Sequence, residues 1–411
     1  MNCISWILNI LKYYKGGLDT KQISSILGRD ATPPDEVSFV STLATFSPVL
    51  IVKEGTSVLW SFADGTTSSS PRPRKNYGKA GVYLNRLKVT PWSGLEIVNL
   101  GYDGSDGGCN SIEQVPNQGI AGVNNMHLMA SYLRKWCSSY SPIQSLDFNG
   151  YANLDTIECF YSTHLVSVSL QRTHNLSRIC FENSRLRSID LSDSLALADF
   201  RLAGNQIVSI NWGKTGEYLW HLCSHHHPDG RNSNYPTFSN FPNLKELWIW
   251  NNNLAGSLVV TSTHLTSALV HNNKFTSACF TGCFPDYCTD GEINISSNQL
   301  RKLEIADNPG LIRLFAHNNH LRPSTVESIL QILDSFDRHN GMVDLSANSV
   351  PTLQGQIYAN NLRNKGWLVK VDKNSLDLQA NRFFNKLKKI VRRWYDCLLL
   401  KLSFLQIHPV S

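Results

Sequence analysis

Apolar residues recur at a short, regular spacing over residues 146–322. The clearest unit is Leu244–Leu254, LKELWIWNNNL, in which Leu247 and Ile249 alternate with polar or outward positions. This alternation predicts a short strand with both side chains in a core. Asn252 is placed to turn the chain by hydrogen-bonding the backbone of neighbouring coils, after which Leu254 re-enters the core. One such unit cannot bury its apolar side alone, so the pattern predicts a stack of similar coils.

Matching segments occur along the chain, separated by 22, 21, 47, 21, 25 and 21 residues. The interval of 47 spans two periods plus extra residues. The predicted strands have inward residues at Ile157, Ile179, Phe200, Leu247, Ala268, Ile293 and Leu314. A second series lies half a period away and predicts a second strand on the opposite side of each coil: Leu146/Phe148, Val168/Leu170, Ile189/Leu191, Ile210/Trp212 and Leu303/Ile305.

The fixed positions Leu244, Leu247, Ile249, Asn252 and Leu254 fit the leucine-rich-repeat consensus L-x-x-L-x-L-x-x-N-x-L. The repeats resemble those of internalin-like bacterial surface adhesins and of phage and gut-bacterial surface proteins. This resemblance implies a mainly β protein whose solenoid, residues 146–322, recognises a ligand on its concave sheet.

Residues 35–100 predict an all-β module before the solenoid. Val58–Phe62 and Gly81–Val89 alternate as strands, and Asp64-Gly65 supplies a turn. The series from Trp60 to Ser68, followed by Tyr77, Gly81, Tyr83, Leu87 and Val89, resembles the PKD domain, which implies an immunoglobulin-like β-sandwich used as a spacer. The resemblance departs from the family at Ala63, where glycine is usual, and lacks the family's Pro-x-His before the tyrosine.

The remaining segments are predicted to cap or anchor the solenoid. Residues 101–145 form a linker and an N-terminal cap, with helical spacing over Asn125–Trp136. Residues 323–375 predict an α/β C-terminal cap. Its elements are a helix at Ser324–Phe336 with Ser324 as its N-terminal cap, a strand at Met342–Leu345, a helix at Gln354–Asn364 and a strand at Trp367–Val371.

The spacing of apolar residues predicts an amphipathic helix at each end of the chain. Residues 1–34 carry Ile4, Ile7, Leu8 and Leu11 at helical spacing, and residues 376–411 form a basic, then apolar tail. Each helix is interpreted either as packing on its own chain or as docking on other subunits of an oligomer. The tail could also contact an acidic or lipid surface.

The net charge of +6 is concentrated in residues 381–411, which hold seven basic side chains and one acid. The rest is neutral, so no basic field predicts nucleic-acid binding. No apolar run is long enough to span a bilayer. The N-terminus lacks a basic leader and a cleavage site, so no secretory signal is expected. Together with the surface-protein resemblance, this favours a virion protein, or a fragment of an extracellular or cell-surface one.

Ligand recognition is predicted on outward positions of the concave strands. The six chosen side chains, suited to a protein or a glycan ligand, are Arg201, Trp248, Trp250, His271, Phe315 and His317. Sugar stacking on Trp248 or Trp250 is one hypothesis, and protein recognition is another. In a third, the first insertion covers both tryptophans. The full set of predicted outward positions also includes Glu158, Phe160, Cys180, Glu182, Ala203, Leu269, Asn294 and Ser296.

Two insertions, Gly213–Pro242 and Thr281–Asp290, concentrate histidines and cysteines. Their possible metal ligands are His221, Cys223, His225, His227, Cys283 and Cys288, although the spacing matches no zinc motif. A Cys283–Cys288 disulfide and ordinary polar loops are the alternatives. Cys159 is interpreted as a buried thiol.

No nucleophile elbow, zinc-protease, phosphate-loop or dinucleotide motif is found. The sequence therefore predicts a non-enzymatic adhesion, recognition or structural protein with no cofactor, bound to protein subunits, surface glycan or both. A purely structural virion subunit and a surface-polysaccharide hydrolase are the alternative hypotheses.

Overall fold

A computed structural model describes residues 33–101, 115–225, 238 and 241–372. The predicted amphipathic segment at residues 1–34, except its last two residues, and the basic tail at 376–411 lie outside this range. Within the described residues, no helix is long and apolar enough to cross a membrane.

One long sheet runs through most of the described chain and contains thirteen strands. All neighbours pair in parallel except the first two, which are antiparallel. With strands numbered along the chain, their order across the sheet is β3 (Val49–Val52), β8 (Leu95–Asn99), β10 (Lys135–Cys137), β12 (Thr156–Glu158), β14 (Arg178–Cys180), β16 (Asp199–Arg201), β18 (His221–Cys223), β19 (Glu246–Trp248), β21 (Ser267–Leu269), β23 (Gly291–Asn294), β25 (Leu311–Phe315), β26 (Met342–Asp344) and β27 (Leu368–Lys370).

The strand register places the predicted inward residues in one column. Ile157 pairs with Ile179, which pairs with Phe200, and the same column continues through Leu247 to Leu314. All of these side chains are fully buried in one core. A leucine-rich-repeat type of solenoid, predicted from the spacing, is therefore the architecture of the repeat region.

The second apolar series forms the other side of the coils, as predicted. Shorter parallel sheets are built there from β11 (Ser145–Asp147) and β13 (Ser167–Ser169), from β15 (Ser188–Asp190) and β17 (Ser209–Asn211), and from β20 (Ala255–Val259), β22 (Lys274–Cys279) and β24 (Lys302–Glu304).

Asparagines join successive coils at the turns. The Nδ2 of Asn252 donates to the carbonyls of Ser224 and Ile249, at 2.8 and 2.9 Å. Asn298 repeats this arrangement and its Oδ1 accepts from the backbone N–H of Phe275. Because these amides satisfy backbone groups that lie away from water, they fix the position of each turn against the preceding coil.

The N-terminal part contains a five-stranded sheet in the order β5 (Thr67–Ser68), β4 (Ser57–Ser61), β7 (Tyr83–Thr90), β1 (Val37–Ser41), β9 (Ile120–Asn124), and a pair formed by β2 (Thr45–Phe46) and β6 (Lys75–Asn76). All these pairings are antiparallel. The fully buried Trp60 indole packs against Phe39 and Phe46, with ring centroids 5.7 and 5.4 Å away. Asp64 stabilises the turn by accepting from the N–H of Thr66, at 3.1 Å, and by pairing with Lys75.

Strand pairing crosses the predicted domain limit at residue 100. Strand β8, at the end of residues 35–100, pairs with β10 of the solenoid sheet, whereas β9 pairs back with β1. A short 3-10 helix at Trp92–Gly94 precedes β8. The two parts of the chain therefore exchange strands instead of meeting end to end.

Two helices lie in the C-terminal part of the described residues. Helix α1 spans Pro323–Ser335 and buries Val326, Ile329, Leu330 and Leu333, and helix α2 spans Leu353–Asn364. Both lie within a residue or two of the predicted bounds. The predicted cap at Ser324 is wrong, because Arg322 occupies the capping position and Pro323 begins the helix. Thr352 caps α2 by accepting from the N–H of Gly355.

The predicted helix at Asn125–Trp136 is wrong. A 3-10 helix covers only Met126–Met129, and Trp136 lies on strand β10. Met129, Leu133 and Trp136 are all fully buried, so their helical spacing reflects a common core position. Pairing of β10 with strands on both sides favours the extended backbone.

Candidate recognition surface

The outward side of the long sheet, the predicted concave face, carries two aligned columns of side chains. The first column includes Arg201, Trp248 and Phe315, and the second, two residues further along each strand, includes Trp250, His271 and His317. All six predicted ligand-binding residues therefore lie on this side, and each is partly exposed. They do not form a single site, because Phe315 and His317 are separated from His271 by strand β23.

An aromatic strip occupies the centre of this side and consists of His225, Trp248, Trp250 and His271. The Trp250 ring lies between two imidazoles and nearly parallel to both, with centroids 3.6 Å from His225 and 5.7 Å from His271. The Trp248 ring lies 6.1 Å from that of Trp250 at an angle of 52°. Rings on neighbouring parallel strands stack in this way because the strands are about 4.8 Å apart. The strip therefore presents ring edges, and not the faces of Trp250, to solvent.

A charged network adjoins the strip towards the N-terminal coils. Asp199 is its centre: one carboxylate oxygen lies 2.7 Å from His221 Nδ1 and accepts from Arg201 Nε at 3.1 Å, and the other accepts from Arg178 at 2.8 Å. Arg178 also donates to the fully buried Glu158 at 3.2 Å. Each charge is thus paired with an opposite charge on its own strand or a neighbouring one, as buried charges require.

Burial and pairing shift the pKa values in this network in opposite directions. Burial raises the pKa of the Asp199 carboxyl, but hydrogen bonds and charge from His221 and Arg201 outweigh it and hold this pKa below its usual value. Burial raises the pKa of the Cys223 thiol well above its usual range, and the nearby Glu182 carboxylate adds to the shift. Cys223 is therefore a neutral thiol at pH 7, and its Sγ lies 3.4 Å from Glu182 Oε1.

Several predicted outward positions are not open to solvent. Phe160 and Cys180 are buried and form a separate small cluster with Cys137. The rings of Tyr140 and Phe160 pack edge to face, with centroids 5.6 Å apart. Apolar side chains on three successive strands cover one another here, so the N-terminal end of the outward side is closed. Glu158, Ala203 and Ser296 are also buried.

The proposed metal ligands do not come together. His221 contacts Asp199, Cys223 contacts Glu182, and Cys283 donates to the carbonyl of Val260 at 3.2 Å. No group of three or more potential ligands that could hold a metal occurs among the described residues. His227 lies outside that range.

The Cys283–Cys288 disulfide is not formed, and both residues are buried free thiols. Burial raises the pKa of the Cys283 thiol to about 12. The second insertion is a loop that is exposed only in part: Cys283 and the neighbouring Phe284 are fully buried against the core, whereas Tyr287 is 72% exposed. Cys159 is a buried thiol of the core, as predicted, and its pKa is raised by burial to about 12.

The polar-loop interpretation of the first insertion is wrong for residues 221–223. Strand β18 lies inside it, between β16 and β19, and Leu222 joins the inward column. His221, Cys223 and His225 are consequently residues of the outward side. The spacing Leu219, Leu222 repeats the Leu-x-x-Leu step and was the signal that could have revealed this coil. The hypothesis that this insertion covers Trp248 and Trp250 concerns residues 226–237, which lie outside the described range.

No protein-family model and no curated protein matches this sequence. Among solved structures, the leucine-rich repeat domain of APL1B is similar at 15% identity, over 61% of this chain and 70% of that domain, with a TM-score of 0.42. The functional domain of InlJ from Listeria monocytogenes, which includes a cysteine ladder, is similar at 14% identity, over 58% and 74%, with a TM-score of 0.28. The repeat architecture is established by the strand register of this chain itself.

Proposed function

We propose that this chain is a non-enzymatic recognition protein that binds a protein partner through the outward side of its long sheet. The observation that carries the proposal is the aromatic strip, in which Trp248, Trp250 and the imidazoles of His225 and His271 are contiguous and partly exposed. Tryptophan is a preferred anchor of protein interfaces, and a contiguous exposed aromatic surface on a rigid sheet is unusual without a ligand.

Protein recognition is favoured over sugar stacking at this strip. A sugar ring binds an aromatic side chain through the ring face, and the imidazoles of His225 and His271 flank both faces of Trp250. Ring edges instead suit the irregular apolar and polar groups of a protein surface.

The finer parts of the proposal concern where recognition takes place. We place the protein on a virion or a cell surface, as an adhesin or a structural subunit. The PKD-like interpretation makes the N-terminal sheets a spacer, and their buried aromatic centre at Trp60 is compatible with such a module. The terminal amphipathic segments would anchor the chain to other subunits.

Site-specific photo-crosslinking tests the binding surface. A benzophenone amino acid is introduced at Leu269, beside Trp248 on the outward side, or at Val208, 39% exposed on the other side of the coils. We expect the Leu269 probe to capture one defined protein in the native assembly, and Trp248→Ala to reduce this capture. Capture of the same protein from Val208, or capture that Trp248→Ala leaves unchanged, would refute binding at the strip.

A further inference from the structure

A polar cleft of about 490 Å³ opens where the N-terminal strands enter the long sheet. It lies between the end of β3 and the first solenoid coils, and Lys53, Glu96, Tyr132, Arg134, Asn153 and Asp155 contribute to its lining. Its volume is within the range of small-molecule sites. The cleft lies at the N-terminal ends of its parallel strands, whereas the aromatic strip lies at and beyond the C-terminal ends of its own strands, so the two surfaces are separate.

The charged side chains that line this cleft form no ion pairs with one another. The N–H of Arg134 donates to the carbonyl of Glu96 at 2.8 Å, and the N–H of Asp155 donates to the carbonyl of Arg134 at 2.8 Å. The starts of three successive strands therefore carry residues of alternating charge: Glu96, Arg134 and Asp155. Opposite charges so placed normally pair across strands, as Arg313 and Glu292 do at 2.9 Å further along the sheet. No ion pair within 4.0 Å joins these three side chains to each other or to Lys53 in the described part of the chain.

Much of the hydrogen-bonding capacity of the cleft remains available for a ligand, although Asp155 already accepts from Ser177 at Oδ1 and from Thr156 at Oδ2, the latter at 3.2 Å. The Lys53 ammonium has a single long contact, 3.4 Å to the carbonyl of Ser93. The Nδ2 groups of Asn153 and Asn175 donate to the carbonyls of Ser131 and Ala152, which leaves their side-chain oxygens as acceptors. The cleft thus holds two cationic donors, two carboxylates and amide oxygens, with no net charge.

These groups suit a neutral, polyhydroxylated ligand. Hydroxyl groups donate to carboxylates and accept from ammonium and guanidinium groups, so they satisfy both kinds of side chain at once. Tyr132, 40% exposed at the edge of the cleft, offers an aromatic ring to the C–H face of a sugar. A simple anion or cation would instead meet equal numbers of like and opposite charges. We propose that this cleft binds a neutral saccharide of one or two units, independently of the aromatic strip.

Saturation-transfer NMR on the full chain tests the proposal. The probes are glucose, galactose, mannose, N-acetylglucosamine and lactose, with sialyllactose and a heparin disaccharide as charged comparisons. The variants are Tyr132→Ala, Glu96→Gln and Arg134→Gln. Tyr218→Ala serves as the matched control, because Tyr218 is 58% exposed and lies outside the cleft. Thermal unfolding of each variant verifies the fold.

We expect at least one neutral sugar to bind, with an affinity about tenfold weaker in Tyr132→Ala and in Glu96→Gln. Tyr218→Ala and the strip variant Trp248→Ala should bind as the wild type does, which separates this site from the proposed protein-binding surface. The absence of binding by every neutral sugar would overturn the proposal. A preference for the charged saccharides would also overturn it. If Tyr132→Ala does not fold, unchanged sugar binding by both Glu96→Gln and Arg134→Gln would overturn it as well.

Discussion

At the scale of single residues, buried polar groups set the position of one coil on the next. Asn298 is 7% exposed, and its Nδ2 donates to the carbonyls of Val270 and Ile295, both at 3.1 Å. Its Oδ1 accepts from the N–H of Phe275. We predict that Asn298→Ala lowers the free energy of unfolding by about 3 kcal/mol, because several buried backbone groups lose their partners. Urea unfolding measures the change.

The exposed Asn243 provides a matched control for this prediction. Its Nδ2 also bonds a carbonyl of the preceding coil, that of Glu217 at 2.6 Å. Water can replace this bond, so Asn243→Ala should lower the free energy of unfolding by less than about 1 kcal/mol. Equal losses at both positions would show that burial does not determine the contribution of these amides.

Asp199 is a residue whose contribution should depend on pH. Its folded-state pKa lies below the ordinary value of 3.8, so its ionised form stabilises the fold above that pH. This stabilisation is lost as the pH falls through the folded-state pKa. We predict that Asp199→Asn lowers the free energy of unfolding by about 3 kcal/mol at pH 7, because Arg178, Arg201 and His221 lose their common partner.

The same substitution should matter less in acid. Below the ordinary value of 3.8 the unfolded chain takes up the proton before the folded chain does, so the difference between the wild type and Asp199→Asn should shrink. Urea unfolding at pH 7 and pH 3 measures both differences. A difference that is as large at pH 3 as at pH 7 would mean that the ionised carboxylate is not the stabilising group.

At the scale of elements, strand β18 makes the first insertion part of the solenoid. Leu222 is fully buried in the inward column between Phe200 and Leu247. We predict that Leu222→Ala lowers the free energy of unfolding by about 3 kcal/mol through lost burial and an unfilled cavity. Leu195→Ala is the control, since Leu195 is 43% exposed. If both variants unfold alike in urea, residues 221–223 would have to be a loop that contributes nothing to the core.

The sequence predicted elements well where one apolar pattern had one structural explanation. Ile157, Ile179, Phe200 and Leu314 were placed in one column because each recurs at the coil period. The pattern failed at Trp136, whose helical spacing from Met129 and Leu133 is produced by a turn and a strand that share one core. It also failed at Leu222, because the extra residues of the first insertion lengthen the spacing from Leu222 to the next repeat.

The candidate site was predictable only in part, since it depends on contacts between strands. The outward positions of Trp248 and Trp250 followed from alternation alone. The imidazoles flanking Trp250 did not, because the position of His225 depends on the coil that was missed. The ion network around Asp199 requires the register of β14, β16 and β18, which the one-dimensional pattern does not contain.

At the scale of the whole molecule, the N-terminal sheets and the solenoid share strands. Strand β8 pairs with β10, and β9 pairs with β1, so each part holds a strand of the other. Trp136 on β10 is fully buried, and Val98 of β8 is its neighbour in the inward column. Cutting the chain at residue 100 would uncover this indole and the edge of β10, and unpaired strand edges promote aggregation.

We therefore predict that neither residues 33–100 nor residues 101–372 fold on their own, whereas residues 33–372 do. The shorter piece would lack β9, the partner of β1 at the edge of its sheet, and the longer piece would lack β8. Scanning calorimetry and circular dichroism of the three chains measure this. In residues 33–372 the N-terminal sheets and the first coils should unfold in one transition. A strand that leaves one sheet also exposes the edge and core of the other sheet. The contrary result would be two resolved transitions in residues 33–372, with each piece unfolding cooperatively at the temperature of one of them. In that case the exchanged strands do not couple the two parts, which are then independent domains.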